Sequence, residues 1–307
     1  MPGRAEGGAI EMQRREIGGS RTFDVISTAV LLIMASLFLY PVLNTLALSL
    51  SEAAVLKSQT VTFLPKGLTL DAYRFLLSDG RVFRYYLNTV AYAAGGTLFM
   101  LLFTSMLAYP LTVEKFSGRK VITFLLAVTL FFSGGLIPYY LVVLKLGLRD
   151  TFWVMVLPGA ISAWNVILFR TFFAAIPTAL KESPMIDGAG HTTVLFRIIL
   201  PLSKPLLATF ALFTVVLQWN DFLTAVLFLR DSDKYPIQML LRRMLVLLDF
   251  QDIENAQQRM FSDLINTTNT RTIKSAAVML TIIPIFCFYP FVQKYFTKGI
   301  MIGSVKG

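Results

Sequence analysis

The amino-acid sequence predicts an all-α membrane protein with six transmembrane helices. Of its 307 residues, 55% are hydrophobic and 15% are charged, whereas an ordinary soluble domain has roughly 45–50% apolar and about 25% charged residues. The mean hydropathy is +0.66, and the apolar residues occur in long uncharged blocks. This excess is too large for one soluble core, so it excludes a disordered chain, a soluble nucleic-acid-binding domain and almost any soluble enzyme.

Six blocks are long enough to span a bilayer, because a helix needs about 20 mostly apolar residues to cross roughly 30 Å of hydrocarbon. We predict spans at 25–51, 85–113, 121–144, 151–169, 205–229 and 275–293. The spans are expected to be helices, because unpaired backbone groups are costly in lipid. An even number of spans places both chain ends on the same side of the membrane.

The segments outside these blocks define the expected organisation. Residues 1–22 form a polar leader, residues 23–297 the six-helix domain and residues 298–307 a tail. Long connections are expected at about 51–84 and 230–272 on one face, and one long connection follows the fourth span on the other. Lys and Arg divide equally between the predicted loops of the two faces, so their bias does not set the orientation.

The charged and metal-ligating residues exclude further classes of partner. The chain carries 28 Lys and Arg against 18 Asp and Glu, a formal net charge of +10. Basic residues of membrane proteins usually lie in loops near lipid headgroups, so no nucleic-acid partner is expected. The sequence has one cysteine, Cys287, and one histidine, His191, which excludes an internal disulfide and a multi-histidine metal site. No metal ligands are predicted.

A spaced motif occupies the connection after the fourth span. Glu182 is followed five residues later by Asp187-Gly188-Ala189, and after about ten more by Ile198-x-Leu200-Pro201. This pattern resembles the EAA loop of ABC importer permeases, the membrane subunits that dock onto ATP-hydrolysing subunits. The second and third residues of the family's Glu-Ala-Ala are Ser183 and Pro184 here, so the first turn of the docking helix is expected to be shifted.

The residue types of this loop predict a helix and a tight turn independently of the family resemblance. Ser183 and Pro184 are typical of a helix start, because serine caps the helix and proline suits its first turn. Gly188 and Gly190 are expected to permit the left-handed turn that closes the helix, and the carboxylates of Glu182 and Asp187 to accept hydrogen bonds from the turn. The result would be a rigid helix–turn–helix that fits a cleft on another protein. An ordinary surface loop with a glycine turn is the alternative.

The resemblance covers roughly two-thirds of the chain, from about residue 86 to 291. The segments 134–138, 157–160 and 298–307 are similar to the carbohydrate-uptake branch, and closest to the oligosaccharide permeases that include a subunit of the alginate importer. The resemblance implies the type I ABC importer permease fold with a cytoplasmic coupling helix in the loop at about 177–200. It also implies a bacterial plasma (inner) membrane location with both termini cytoplasmic. The loops at about 51–84 and 230–272 are then periplasmic or extracellular and are expected to face a solute-binding protein.

The resemblance further implies the partners. They are a second homologous permease subunit, two ATPase subunits, an extracytoplasmic solute-binding protein, the membrane lipid and an oligosaccharide substrate. The chain has no GxxxxGK[ST] phosphate loop, so it is not expected to be an enzyme or to bind a cofactor itself. ATP and Mg belong to the partner subunits. The ATPase-coupling residues carried over by the motif are Glu182, Ser183, Asp187, Gly188, Ala189, Gly190 and Phe196.

A polar group within the fifth span is the candidate substrate pathway. It consists of Gln218, Trp219, Asn220 and Asp221, and ionisable residues at membrane depth usually face a bundle interior or a water-filled cavity. Tryptophan offers a flat apolar face for a sugar ring, and the polar side chains can bind hydroxyl groups. The alternative is a hydrogen bond that packs helices against the neighbouring subunit. Asp221 would repel an acidic sugar unless it is protonated or paired with a nearby Arg or Lys.

Two further polar residues and several small residues also lie within the predicted spans. Asn88 and Asn165 are further pathway candidates, with packing as the alternative. Gly95 and Gly96 in the second span, and the pair 134–135 in the third, are expected to let helices approach closely.

Two other functions fit the sequence less well than a permease does. A stand-alone secondary transporter driven by an ion gradient would need several ionisable residues inside the membrane, and only Asp221 qualifies. A membrane-embedded enzyme lacks paired catalytic residues in the spans.

Overall fold

The computed structural model describes residues 21–52, 55–56, 61–247 and 270–304. Residues 21–22, 247 and 288–304 are described by their backbone only. The predicted leader lies almost entirely outside the described residues. The chain divides into two compact units, Met1–Tyr73 with Ala256–Ala276, and Arg74–Asn255 with Ala277–Gly307.

The described residues are mainly helical, with one isolated antiparallel β-bridge between Ser51 and Leu68. The helices are α1 Arg21–Ser49, α2 Asp71–Ser78, α3 Arg81–Ala108, α4 Arg119–Phe131, α5 Leu136–Lys145, α6 Phe152–Val156, α7 Ala163–Ala175, α8 Thr178–Ile186, α9 His191–Val194, α10 Lys204–Trp219, α11 Leu223–Phe228, α12 Ile237–Leu247 and α13 Thr270–Ser304. From α9, the helix continues through a π-helical turn, Leu195–Ile199, to Leu202.

Three helices among the described residues are long and apolar enough to span a membrane by themselves. These segments are Phe23–Ser49, Arg81–Thr112 and Thr270–Cys287, and they correspond to the first, second and sixth predicted spans. The count rises to five if each of two sharply bent helix pairs is one span. The total of six spans stays a prediction.

The third, fourth and fifth predicted spans are each interrupted rather than formed by one helix. The third breaks between α4 and α5, where Gly135 has a φ of 81°. The fourth breaks between α6 and α7 at residues 157–162, which include Pro158 and Gly159, and the fifth breaks after Trp219. Glycine, proline and short polar residues favour non-helical backbone, so these breaks have local causes.

The small residues of the second and third spans have different roles. A Cβ on Gly95 would lie 2.9 Å from Cζ of Phe152, and one on Gly96 would lie 2.7 Å from Nε2 of Gln218. The expected close approach is therefore confirmed for these two glycines. It is wrong for Gly135, because a Cβ there would meet no atom within 4 Å. Gly135 instead supplies the left-handed backbone of the helix break.

The boundaries of the connections also differ from those expected. Helix α13 continues to Ser304, so most of the predicted tail at 298–307 is helical. The predicted connection at 230–272 contains α12, and its residues 248–269 lie outside the described part of the chain. The connection predicted at 51–84 contains α2 and the first turn of α3.

The core of the second unit is arranged along α3. One cluster joins the C-terminal half of α3 to α7, α9 and α10 and includes Met100, Phe169, Ile199 and Phe210. The other joins Tyr92 of α3 to α6 and α11, and it includes Phe228. Helix α3 thus carries the 176–203 segment at one end and the 230–237 segment at the other.

Candidate functional site

An elbow, defined here as residues 176–203, connects α7 to α10. Helix α8 turns away from α7 by 76°, and the helix His191–Leu202 meets α10 at 81°. Ile176 precedes Pro177 and is extended, with φ −71° and ψ 129°. Because proline disfavours helical backbone in the residue before it, Pro177 accounts for the end of α7 and for the first bend.

The tight turn after α8 is closed by backbone hydrogen bonds. The Ala189 N–H donates to the Pro184 carbonyl at 2.9 Å, and the Gly188 N–H donates to the Met185 carbonyl at 3.1 Å. Gly188 has a φ of 86°. These two bonds and the left-handed glycine form a Schellman motif, which satisfies carbonyl groups that a helix end leaves open.

Three details of the predicted elbow are wrong. Helix α8 begins at Thr178, before Ser183, and contains Pro184. Gly190 is extended with a φ of −74°, so Gly188 alone supplies the left-handed turn. Within the described residues, the carboxylates of Glu182 and Asp187 accept no hydrogen bond, because backbone carbonyls already serve the donors of the turn.

Two polar contacts attach the elbow to neighbouring parts of the fold. Nζ of Lys181 donates to the Phe173 carbonyl at 2.7 Å, and burial lowers the pKa of Lys181 below its usual 10.5. Oη of Tyr109, just beyond α3, shares a 3.3 Å hydrogen bond with Nδ1 of His191. His191 is exposed, but it contacts the buried Tyr109.

The outer surface of the elbow exposes most of the predicted coupling residues. Glu182, Ser183, Asp187, Gly188, Gly190 and Phe196 are exposed, and Ala189 is half-buried. Sequence reasoning missed Ile186, whose side chain is 86% exposed. The sequence feature that could have indicated its exposure is its position directly before the polar turn. On the inner side, Val194 and Ile199 are fully buried in the core cluster.

The predicted pathway residues of the fifth span surround the break between α10 and α11. Trp219 is buried, and its Nε1 donates to the Thr281 carbonyl at 3.0 Å. Oδ1 of Asp221 accepts a hydrogen bond from the Thr224 N–H at 3.0 Å, as a helix cap does. Oδ1 of Asn220 accepts from Nε2 of Gln238 at 3.2 Å. These contacts hold the break in the described conformation.

The other pathway candidates are placed separately. Gln218 packs against Gly96, and its Oε1 is buried with no hydrogen-bond partner among the described residues. Nδ2 of Asn88 donates to the Asp233 and Tyr235 carbonyls at 2.7 and 3.1 Å. Asn88 therefore positions the 230–237 segment. Asn165 is half-buried and forms no hydrogen bond within the described part of the chain.

Sequence reasoning also missed a polar cluster around Asp150. Its Oδ1 accepts from the Arg230 and Asp231 N–H groups at 3.1 and 3.2 Å, and its Oδ2 pairs with Nζ of Lys234 at 3.1 Å. Burial opposes ionisation of Asp150, but these donors outweigh it and lower the pKa of Asp150 below its usual 3.8. Oη of Tyr92 donates to the Lys234 carbonyl at 2.8 Å, which ties the cluster to α3.

Most of the chain matches a known family of membrane transport components. Residues 93–302 match the family model "Binding-protein-dependent transport system inner membrane component". The chain belongs to this family, so it is an inner-membrane permease component, as the EAA resemblance implied. The alternative of a stand-alone secondary transporter is therefore wrong.

Similar proteins cover almost the whole chain. The polygalacturonan/rhamnogalacturonan transport system permease protein YtcP of Bacillus subtilis (strain 168) is 38% identical over 290 residues, 94% of this chain and 99% of YtcP. Protein LplC of the same organism is 40% identical, covering 94% of this chain and 96% of LplC. A solved bacterial ABC transporter involved in the import of the acidic polysaccharide alginate contains a chain with a TM-score of 0.81 and 32% identity, covering 90% of this chain and 97% of that one.

Proposed function

We propose that this chain is one permease half of an ABC importer for oligosaccharides and that its elbow receives the ATPase. The single observation that carries the ATPase role is the exposed tip of the elbow, with Ile186 next to a rigid glycine turn. An apolar side chain beside exposed polar groups suits a buried contact with a partner, because a few buried side chains carry most of the binding energy at an interface. The coupling role of Glu182, Asp187 and their neighbours rests on this placement and on the motif.

We infer the assembly from the elbow and the family. A second permease, two ATPase subunits and a solute-binding protein complete the importer. ATP and Mg bind the ATPase subunits, and this chain holds no cofactor. Both termini lie in the cytoplasm, on the side of the elbow, and the 230–237 segment lies on the opposite side.

The proposed substrates are acidic oligosaccharides. The permease at 38% identity serves polygalacturonan and rhamnogalacturonan by name, and the solved transporter at 32% identity imports the acidic polysaccharide alginate. An arabinooligosaccharide permease of Halalkalibacterium halodurans is 28% identical over 279 residues. Among the described residues, Asp221 faces the Thr224 N–H without a nearby ion pair, so we assign it to the helix break rather than to sugar binding.

The elbow transmits force because it is stiff. When the ATPase subunits close, they push α8, and the Lys181 contact carries the displacement to α7. The His191 contact with Tyr109 carries it to α3. The solute-binding protein and ATP both favour the outward-open state, so each increases the effect of the other.

The elbow is tested with Ile186→Asp in the reconstituted importer. We expect the variant to reach the membrane but to lose ATPase copurification and substrate-stimulated ATP hydrolysis. Phe116→Asp, at an exposed position in the loop before α4, is the matched control and should keep both. Normal stimulated hydrolysis in the Ile186→Asp complex would contradict ATPase docking at the elbow.

The substrate class is tested separately with the wild-type importer. The solute-binding protein is loaded with oligogalacturonate, with an alginate oligosaccharide or with a neutral oligosaccharide of equal length. We expect the acidic sugars to stimulate ATP hydrolysis more than the neutral one. Equal stimulation by the neutral sugar would overturn the acidic class and leave the docking result unaffected.

A further inference from the structure

The segment 61–70 folds back along the C-terminal end of α1. Nδ2 of Asn44 donates to the Val61 and Thr62 carbonyls at 2.9 and 2.8 Å. The Phe63 ring lies edge-on to the Tyr40 ring, with 5.3 Å between the ring centroids. The Thr69 N–H donates to the Leu50 carbonyl at 3.0 Å. One end of the segment is therefore fixed to α1, and the other end to the residue that follows α1.

This fixed segment exposes large apolar side chains. Phe63 is 59% exposed, Leu64 78%, Leu68 75% and Leu70 52%, whereas Val61 is buried. Soluble surfaces seldom gather so many large apolar side chains in so few residues, and such a patch marks a protein or membrane contact. The hydrogen bonds on Asn44 hold the patch in place, so its exposure does not result from an unstructured loop.

The depth of the patch follows from the length of α1. Arg21 and Asp24 lie in the first turn, and charged groups avoid the hydrocarbon, so the apolar layer begins near Val25. A rise of about 1.5 Å per residue then places the other boundary near Thr45, about 30 Å further on. Asn44 lies at that boundary, and the Tyr40–Phe63 pair lies just inside it.

Lipid explains the patch better than water. Leu37 and Phe38, one turn further into the bilayer on α1, are also exposed, so the patch continues an apolar helix surface. Aromatic side chains such as Tyr40 are enriched at the boundary between hydrocarbon and headgroups. The two carbonyls nearest this boundary are already bonded to Asn44, which reduces the cost of bringing their backbone there.

We propose that the segment 61–70 is an interfacial anchor, with Phe63 and Leu64 inserted between the headgroups and the acyl chains of the leaflet at the C-terminal end of α1. The anchor fixes the depth of α1. It also removes this part of the 51–84 connection from the surface expected to meet the solute-binding protein. The inference does not depend on ATPase docking at the elbow.

The test uses spin labels in the reconstituted complex. On a Cys287→Ser background, single cysteines replace Phe63 and Leu64. Leu31→Cys, at an exposed position in the middle of α1, is the hydrocarbon reference, and Ser78→Cys, beside Asp79, is the water reference. Collision rates with oxygen, which concentrates in lipid, and with a water-soluble nickel chelate are measured by electron paramagnetic resonance. Copurification of the other subunits confirms assembly of each variant.

The expected result is high oxygen accessibility at residues 63 and 64, with nickel accessibility severalfold below that of the Ser78→Cys reference. Nickel accessibility equal to that reference would overturn the anchor and place the segment in water. Low accessibility to both reagents would also overturn it, because the segment would then be covered by a second permease subunit.

Discussion

Lys181 joins two helices with one side chain. Its ammonium donates to the Phe173 carbonyl at 2.7 Å. This carbonyl belongs to the last turn of α7, and its other donor is the Ile176 N–H at 3.4 Å. A positive charge at this end of a helix is also favourable, because the helix dipole is negative there. Lys181 therefore stabilises the angle between α7 and α8.

Lys181→Met should weaken the link between ATP hydrolysis and transport. Methionine keeps an unbranched apolar stem but removes the donor, and a hydrogen bond to a charged group contributes about 1.5–3 kcal/mol. We expect fewer sugars transported per ATP hydrolysed in proteoliposomes. Lys181→Arg retains a donor and should preserve the ratio, as should Lys115→Met in an exposed loop. An unchanged ratio in Lys181→Met would show that this contact transmits nothing.

Asp150 makes the 230–237 segment sensitive to acid. Its pKa is lower in the folded chain than its usual value of 3.8, so the unfolded chain binds more protons between those two values. The stabilisation by Asp150 is therefore complete above the usual pKa and is lost as the pH falls through the lowered pKa.

Asp150→Asn should remove this charge without changing the backbone. Asp150 has a φ of 57°, which asparagine also tolerates. We expect a lower Tm for the variant at pH 7, and a difference from wild type that shrinks below about pH 4, near the usual aspartate pKa. Glu114→Gln, at an exposed site, should have no effect. A Tm difference that does not change with pH would contradict the ionic role of Asp150.

At the scale of an element, the turn after α8 depends on one glycine. Gly188 has a positive φ, and a Cβ there would meet no atom within 4 Å. The backbone conformation alone, rather than crowding, therefore requires glycine. Gly190 has equal space but an ordinary φ of −74°.

Gly188→Ala should disturb the elbow, because a left-handed non-glycine residue costs about 1–2 kcal/mol. We expect weaker binding of the ATPase subunits, measured by titration into permease nanodiscs. Gly188→Asn should be milder, since asparagine tolerates this conformation, and Gly190→Ala should bind as wild type does. Equal losses at both glycines would point to contact with the ATPase rather than to backbone strain.

At the scale of the whole molecule, α3 defines the two sides of the permease. The elbow packs on its C-terminal half, and the 230–237 segment bonds to its N-terminal half through Asn88 and Tyr92. Gly80 lies directly before α3, and Ser117 lies in the loop between α3 and α4. Both residues are exposed. Labelling these two positions therefore measures the orientation of the chain.

The topology prediction uses Gly80→Cys and Ser117→Cys on the Cys287→Ser background. With the elbow in the cytoplasm, a membrane-impermeant maleimide should label Gly80→Cys from outside the cell membrane. Ser117→Cys should react only in inside-out vesicles. The opposite pattern would reverse the permease and place both the elbow and the termini outside.

Much of the architecture was predictable because the bilayer imposes a simple rule. Long apolar blocks must become helices in lipid, so the first, second and sixth spans were located correctly. The motif from Glu182 to Pro201 located the elbow, because its glycine and proline residues restrict the backbone locally. Hydropathy does not register helix breaks, so the interruptions at Gly135 and after Trp219 were missed.

The sequence by itself determined the membrane class, the permease family and the position of the elbow, because hydropathy, spacing and backbone restriction are local properties. Only the tertiary structure showed that Trp219 is buried against Thr281 and that Asp150 holds residues 80 positions away along the chain. Those contacts join distant parts of the chain, and their formation depends on how the helices pack rather than on any local pattern.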